Sequence, residues 1–305
     1  MTSSAASSLV PVNLTLGILL AVLLLVAAGV AAVAHLTPEA GRSRSREILV
    51  AGVRATVQLA AVSFVILWVV KSLPALLAFL AVMFAVAVRT AGRRITSNHT
   101  WWLTAAPLAA GVVPVVAALL LTGLVPLKGI ALIPVTGILI GGALTVTVLA
   151  GRRSLDELAL RHGEVEAAMA LGLPDRDARL EVVRPAASDA LLPGLDQTRT
   201  VGLVTLPGAF VGVLLGGASP LVAGAVQLFV LIALMVVQSL AVTVTIELVA
   251  RHHLHRPARG AGEGPPGARP GLAGGWPRPW AVRRRRAQDP AVPPDPAAPR
   301  DPAAP

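Results

Sequence analysis

Long apolar runs separated by short polar segments dominate the chain from residue 12 to residue 248. The runs fall near 12–34, 49–70, 73–88, 103–122, 129–150, 200–217 and 221–248. Stretches close to or beyond ~18 residues with few charges carry the length signal of membrane spans. The run at 73–88 is short at ~1.5 Å of rise per residue. It is expected to extend past Arg89, whose long stem can carry its charge to the interface. The pattern predicts an all-α, polytopic membrane helix bundle of about seven transmembrane helices. The first run could pass for a signal peptide with a cleavage site at Ala32-Val33-Ala34. It lacks a basic leading region, and arginines follow it instead, so it reads as an uncleaved span.

Residues 151–198 form the one substantial polar insertion. Ser154-Leu155-Asp156-Glu157 has the form of a capping box, in which the Ser hydroxyl caps an orphan amide and the Glu reaches back. Leu155, Leu158, Val165 and Met169 then recur at helical spacing. The spacing predicts a helix over 154–171, broken at Gly172-Leu173-Pro174 because glycine favours the turn and proline lacks a donor. A second helix is expected from Asp175 to Arg184, ended by Pro185. The insertion therefore reads as a cytosolic helical hairpin, 151–198, within a transmembrane domain of residues 1–255. From 256 to 305 the composition shifts to Pro, Ala, Gly and Arg, with more than half of the 25 prolines. Such a segment cannot bury a core and reads as a disordered cytosolic tail. Its Arg283 to Arg286, near Trp276 and Trp280, suit contact with anionic headgroups.

Composition sharpens the membrane reading. The chain is 55% hydrophobic and 14% charged, with a mean hydropathy of +0.74, against about a quarter charged in soluble domains. A net charge of +10 would suggest nucleic acid as partner of a soluble protein. Here the arginines follow alternate runs, so seven crossings gather them on one side and leave Lys71 and Lys128 on the other. The positive-inside rule then places the N-terminus outside and the C-terminus in the cytosol, with the lipid bilayer and not nucleic acid as the partner.

Several chemistries are excluded. There is no cysteine, which removes disulfides, thiolate metal sites and Cys nucleophiles. The phosphate-binding loop needs Gly-x4-Gly-Lys-Ser/Thr, and Lys71-Ser72 has no such glycines before it. No Ser/His/Asp or HExxH arrangement appears, so no catalytic residue and no cofactor is assigned. His252, His253 and His255 have no Cys or carboxylate beside them in sequence, and no metal site is assigned to them.

The candidate pathway residues are the polar and helix-breaking positions inside the runs. Leu206-Pro207-Gly208 interrupts the sixth run, leaving backbone carbonyls free of the helical ladder. Gly208, Gly212 and Gly216 follow at four-residue steps, as do Gly137 and Gly141, a spacing that suits tight helix packing or a hinge. Arg54 and Gln58 lie one turn apart and share a face; Arg54 can also snorkel to the cytosol. Gln227, Gln238 and Glu247 are the polar residues of the last run, and Gln227 is the pathway candidate among them.

One block is more specific. Glu166 to Gly172 reads EAAMALG, and Val182-Val183-Arg184-Pro185 follows after ten positions. This resembles the EAA loop of ABC-transporter permeases, E-A-A-x3-G-x9-I-x-L-P, with Arg184 in place of Leu. In that family the loop is the cytosolic helix that docks into the ATP-binding subunit. The resemblance assigns Glu166, Ala167, Ala168, Gly172 and Pro185 to coupling. Over roughly residues 40–250 the chain further resembles the FetB family of ABC permeases, which includes bacterial iron exporters and plant aluminium-tolerance permeases. The matching blocks are Gly202 to Gly208, Gly212, Leu215 to Leu221, Gln227, Pro193 to Asp196, and Arg54 to Leu59. It departs where Ala209-Phe210-Val211-Gly212-Val213 replaces Met-Met-Thr-Gly-Gln, and where Gly141-Gly142-Ala143-Leu144 replaces Gly-Asn-Ser/Ala-Met. Val226 also replaces a Tyr. These changes remove soft and polar contacts for a metal. The resemblance implies a plasma (inner) membrane permease, a homodimer bound to separate ABC ATPase subunits, exporting a metal ion such as iron. A gradient-driven secondary transporter and a non-transporting scaffold are the alternative expectations.

Overall fold

The computed structural model describes residues 13–35, 43–123 and 129–256. The tail expected over 256–305 lies outside the described residues except for Arg256, as does Lys128. Ten α-helices occur among the described residues: α1 (Leu14–Val33), α2 (Arg44–Val69), α3 (Leu73–Ile95), α4 (Ala105–Leu121), α5 (Gly129–Leu160), α6 (His162–Ala170), α7 (Asp175–Ser188), α8 (Leu192–Thr200), α9 (Gly208–Leu215) and α10 (Pro220–Ala250). Short 3-10 turns precede α4 and α8. The chain is an all-α polytopic bundle.

Six of these segments are long and apolar enough to cross a membrane: Leu14–Val33, Arg44–Val69, Leu73–Ile95, His99–Leu121, Ala131–Leu160 and Pro220–Ala250. As expected, α3 passes Arg89 and continues to Ile95. The run at 200–217 is not one of the six. It is divided into the end of α8, a non-helical stretch and the eight-residue α9. Gly202 there has a φ of +82°, a left-handed conformation that glycine reaches without a Cβ clash. Pro207 has no amide hydrogen to extend a helix backwards.

The divided segment nonetheless runs alongside the first part of its neighbour, α10, as far as Gln238. Gly194 of α8 abuts Gln238 of α10. Further on, the Phe210 amide meets Gln227, and α9 then turns through Gly216-Gly217 into Pro220. Successive residues thus meet α10 in reverse order, so α8, the break and α9 run antiparallel to it. The sixth run is a discontinuous helix, and six continuous helices accompany it.

The core is formed by α3, α4, α5 and α10. Ala87, Ala91, Ala143 and Ala241 pack with Leu108, Leu139, Val146 and Val237, all buried. Small side chains allow close backbone approach, which is how membrane helices associate without a hydrophobic driving force between them. Gly111 of α4 is the clearest case, since a Cβ there would lie 2.6 Å from the Val237 carbonyl oxygen. By contrast, α1 and α2 pair with each other at the periphery, and no residue of α2 before Val69 is buried.

At the opposite end from α9, the C-termini of α3, α5 and α10 gather around α7. Ile95, Leu180, Val183, Val249, Ala250 and Leu254 form a second buried cluster. With 32 residues, α5 is ~48 Å long, more than the ~30 Å of a hydrocarbon core, so it projects beyond the membrane. Three expectations fail here, the first being the helix expected over 154–171, which is divided at Arg161 between the end of α5 and α6. Ser154 does not cap a helix, because α5 continues through it to Leu160 and its hydroxyl is buried without a partner. Pro185 does not end α7, which runs on to Ser188. In these last two cases packing on neighbouring helices holds a helix that local sequence would stop; Val182, Val183 and Ala187 are buried on either side of Pro185.

Candidate functional site

The first candidate region is the α6–α7 hairpin. Helix α6 rests on α7 through Val165, buried with Ala178 and Val182, while Ala168 packs beside them. Its other face points away from the bundle: Glu166 and Ala167 are exposed, and Leu171 is 83% exposed. Arg161 Nε donates to Glu164 Oε1 at 2.7 Å, and this bond holds the Glu164 carboxyl below its ordinary range. Glu166 lies 3.3 Å from His162 Nδ1. Gly172 closes the helix at a φ of +97°. The Leu173 amide donates to the Ala168 carbonyl and the Gly172 amide to Met169, the paired bonds of a Schellman turn that needs a left-handed residue. Pro185 sits on the exposed side of α7, thirteen positions on from Gly172.

The foot of α7 is tied to the end of α10. Arg176 Nε donates to Glu247 Oε1 at 2.8 Å, and Arg251 to the same carboxylate at 2.5 Å. Alongside, Arg179 Nε donates to Asp175 Oδ1 at 2.8 Å, and its Nη1 lies 3.0 Å from His252 Nδ1. Arginine can only donate, so this Nδ1 is an unprotonated acceptor. Burial pushes the His252 imidazole below its ordinary value and Arg179 adds to that, outweighing Asp175.

The second region is the helix break beside α10. Val201, Gly202, Leu206, Pro207, Phe210 and Gln227 line a cavity of about 300 Å³. Pro207 occupies the N-cap of α9 and offers no side-chain acceptor. Gln227, only 4% exposed, supplies one from the next helix: its Oε1 accepts from the Phe210 amide at 3.2 Å. It therefore satisfies one of the orphan donors at a helix start. Across the break, Leu203 and Val204 are 90% and 78% exposed.

The predicted pathway set falls in three places. Leu206, Pro207 and Gln227 converge on the cavity. A Cβ on Gly208 or Gly212 would meet nothing within 4 Å, and the same holds for Gly141, so none of these three makes a tight contact within this chain. Gly142 belongs elsewhere, since a Cβ there would lie 2.5 Å from Leu234 Cδ2 and 3.5 Å from Gln238 Nε2. Arg54 and Gln58 share a separate cleft between α2 and α3. Sequence reasoning missed the contact of Gln238 with Gly142 and Gly194. The signal was present, as Gln238 is a second amide in an apolar run, but the glycines that accommodate it lie on other helices. Among the described residues, no group of three or more His, Asp or Glu is placed to hold a metal ion.

The chain is 36% identical over 195 residues to the UPF0014 membrane protein STAR2 of Oryza sativa subsp. japonica, covering 62% of this chain and 67% of the relative. It is 34% identical to Protein ALUMINUM SENSITIVE 3 of Arabidopsis thaliana, covering 58% of this chain and 66% of the relative. To the protein of Escherichia coli (strain K12) named "Probable iron export permease protein FetB" it is 26% identical, over 68% of this chain and 81% of the relative. The chain thus spans about two thirds of the length of the plant relatives. No solved structure matches it. The family described as "Uncharacterised protein family (UPF0014)" matches residues 14–254, and the chain, a multi-pass membrane protein, belongs to it.

Proposed function

We propose that the chain is the permease subunit of an ATP-binding-cassette transporter, acting as a homodimer with two separate ATPase subunits and exporting a metal ion such as iron. Residues 1–255 form the permease domain and 256–305 a cytosolic tail. The observation that carries the reading is continuity from an outward-facing helix to a helix break. Helix α6 presents Glu166 and Ala167 for docking, while α7 holds it through Val165 and is clamped to α10 by Arg176 and Glu247. Helix α8 then leads directly into the break at 201–207. A push on α6 is thereby delivered to the break at 201–207, where the backbone has left the helical ladder.

Non-helical backbone at membrane depth is tolerated only where protein or a water-filled cavity covers it. The exposed break therefore calls for a cover, and a second copy supplies it, with the pathway between the two. Backbone carbonyls and the Gln227 amide offer oxygen contacts to a passing cation. The metal itself comes from the name of the bacterial relative. A gradient-driven carrier would need an intramembrane carboxylate free to take up protons, whereas Glu247 is engaged by two arginines.

The test is affinity purification of the tagged chain from membranes in mild detergent, with partners identified by mass spectrometry. A small ATPase recovered in equal amount, and lost in Glu166→Lys, supports the proposal. Recovery of the chain alone sinks the coupling argument.

A further inference from the structure

Helices α2 and α3 diverge around a cleft of about 910 Å³ that no step of the proposed transport path uses. Arg46, Arg54 and Gln58 line it from α2, and Thr90 and Arg94 from α3. The spacings are multiples of four residues on each helix, so each set stands one above the other on one face. Two ladders thus confront each other, carrying three guanidiniums. Among the described residues none of the three forms an ion pair, whereas Arg44 takes up the lining carboxylate of Glu47 at 2.6 Å. Neighbouring Arg93 has a different environment, over the Trp101 ring.

Unpartnered guanidiniums in a membrane helix are costly. Arg54 stands ten residues beyond Arg44, ~15 Å along α2, where an unpaired Arg costs ~2.5–3.5 kcal/mol if it reaches the bilayer centre. A guanidinium offers a planar fork of donors that matches a phosphate in two parallel bonds. The cleft opens beside the arginine-rich end of α3, and basic pockets between membrane helices at that level suit anionic headgroups. We propose that the α2–α3 cleft is a phosphate-binding site formed by Arg46, Arg54 and Arg94, with Gln58 and Thr90 as polar neighbours. The phosphate is that of an anionic lipid headgroup or of a soluble phosphoanion. The site does not depend on the permease reading, because it needs neither an ATPase nor transport.

The experiment uses the full chain purified in neutral detergent and follows thermal unfolding in two arms. One arm adds phosphatidylglycerol against phosphatidylcholine; the other adds inorganic phosphate against chloride at equal ionic strength. Wild type and Arg184→Gln, whose arginine lies outside the cleft, should be stabilised by the phosphate-bearing ligand. Arg54→Gln and Arg94→Gln should each need roughly tenfold more of it, the loss of one charge-assisted contact. A response to phosphatidylglycerol alone identifies the headgroup, and a response to inorganic phosphate identifies the soluble anion. If Arg54→Gln does not fold, Arg94→Gln and native mass spectrometry of retained lipid on wild type carry the test. No response in wild type, or an equal response in Arg94→Gln, overturns the proposal.

Discussion

At the scale of single residues, the polar groups of α10 have distinct roles that their shared setting in an apolar run conceals. Gln227 replaces the missing cap of α9, so Gln227→Leu should leave the Phe210 amide unsatisfied and cost ~1–3 kcal/mol. Gln227→Glu keeps an acceptor at that place. Thermal unfolding of the two variants beside wild type checks this, and equal losses in both would remove the capping role. His252 offers a pH test. Its folded value is depressed below the ordinary 6.5, so the neutral ring belongs to the folded state. The stability it contributes is present above that ordinary value and is lost as pH falls through the depressed one. Charging the ring puts a cation against Arg179, near His255, with Asp175 in partial compensation. Acidification from about pH 8 to about pH 5 should cost wild type more stability than His252→Asn. Parallel curves for the two proteins would show that the ring does not report on folding.

At the scale of elements, close approach and turn geometry decide which glycines matter. Gly111→Ala would drive a Cβ against the Val237 backbone carbonyl, and a carbonyl on a packed helix cannot swing aside. Overpacking of this kind costs ~1–3 kcal/mol. Gly141→Ala meets open space and should be nearly neutral, so a denaturation comparison of the pair separates packing from composition. Gly172→Leu places a branched side chain at a φ of +97°, with strain of ~1–3 kcal/mol. Its effect should be confined to the α6–α7 turn. Hydrogen exchange would then rise at Leu171 to Leu173 while α10 stays protected, and a global rise would indicate that the hairpin is a stability element of the whole fold. The helix boundaries at Ser154 and Pro185 belong to the same scale. Both are expected from local signals, and neither forms, because buried neighbours carry the helix through.

At the scale of the whole molecule, the proposed homodimer is tested at the exposed break. The absence of cysteine makes single-cysteine variants clean probes. Leu203→Cys and Val204→Cys, on the most exposed part of the break, should form a disulfide-linked dimer in native membranes under mild oxidation. Leu121→Cys, exposed at the end of α4, serves as the control. Cross-linking at Leu121 but not at Leu203 or Val204 would place any dimer contact away from the break. Peripheral α2, with its polar face toward the α2–α3 cleft, is the other part of the molecule whose surroundings the chain's own core does not supply.

The sequence by itself determined the membrane class, most of the helical runs and the turn at Gly172. These follow from transfer free energy and backbone conformation, which act locally along the chain. Tertiary structure alone decided that the divided run at 200–217 lies antiparallel to α10. It also decided that Gln227 caps α9, that Gln238 meets glycines of two other helices, and that α5 continues through Ser154. Each of these depends on which helices touch, and apolar runs of similar composition carry no record of their neighbours. A break in a membrane helix becomes tolerable only when another helix supplies the acceptor that the local sequence lacks.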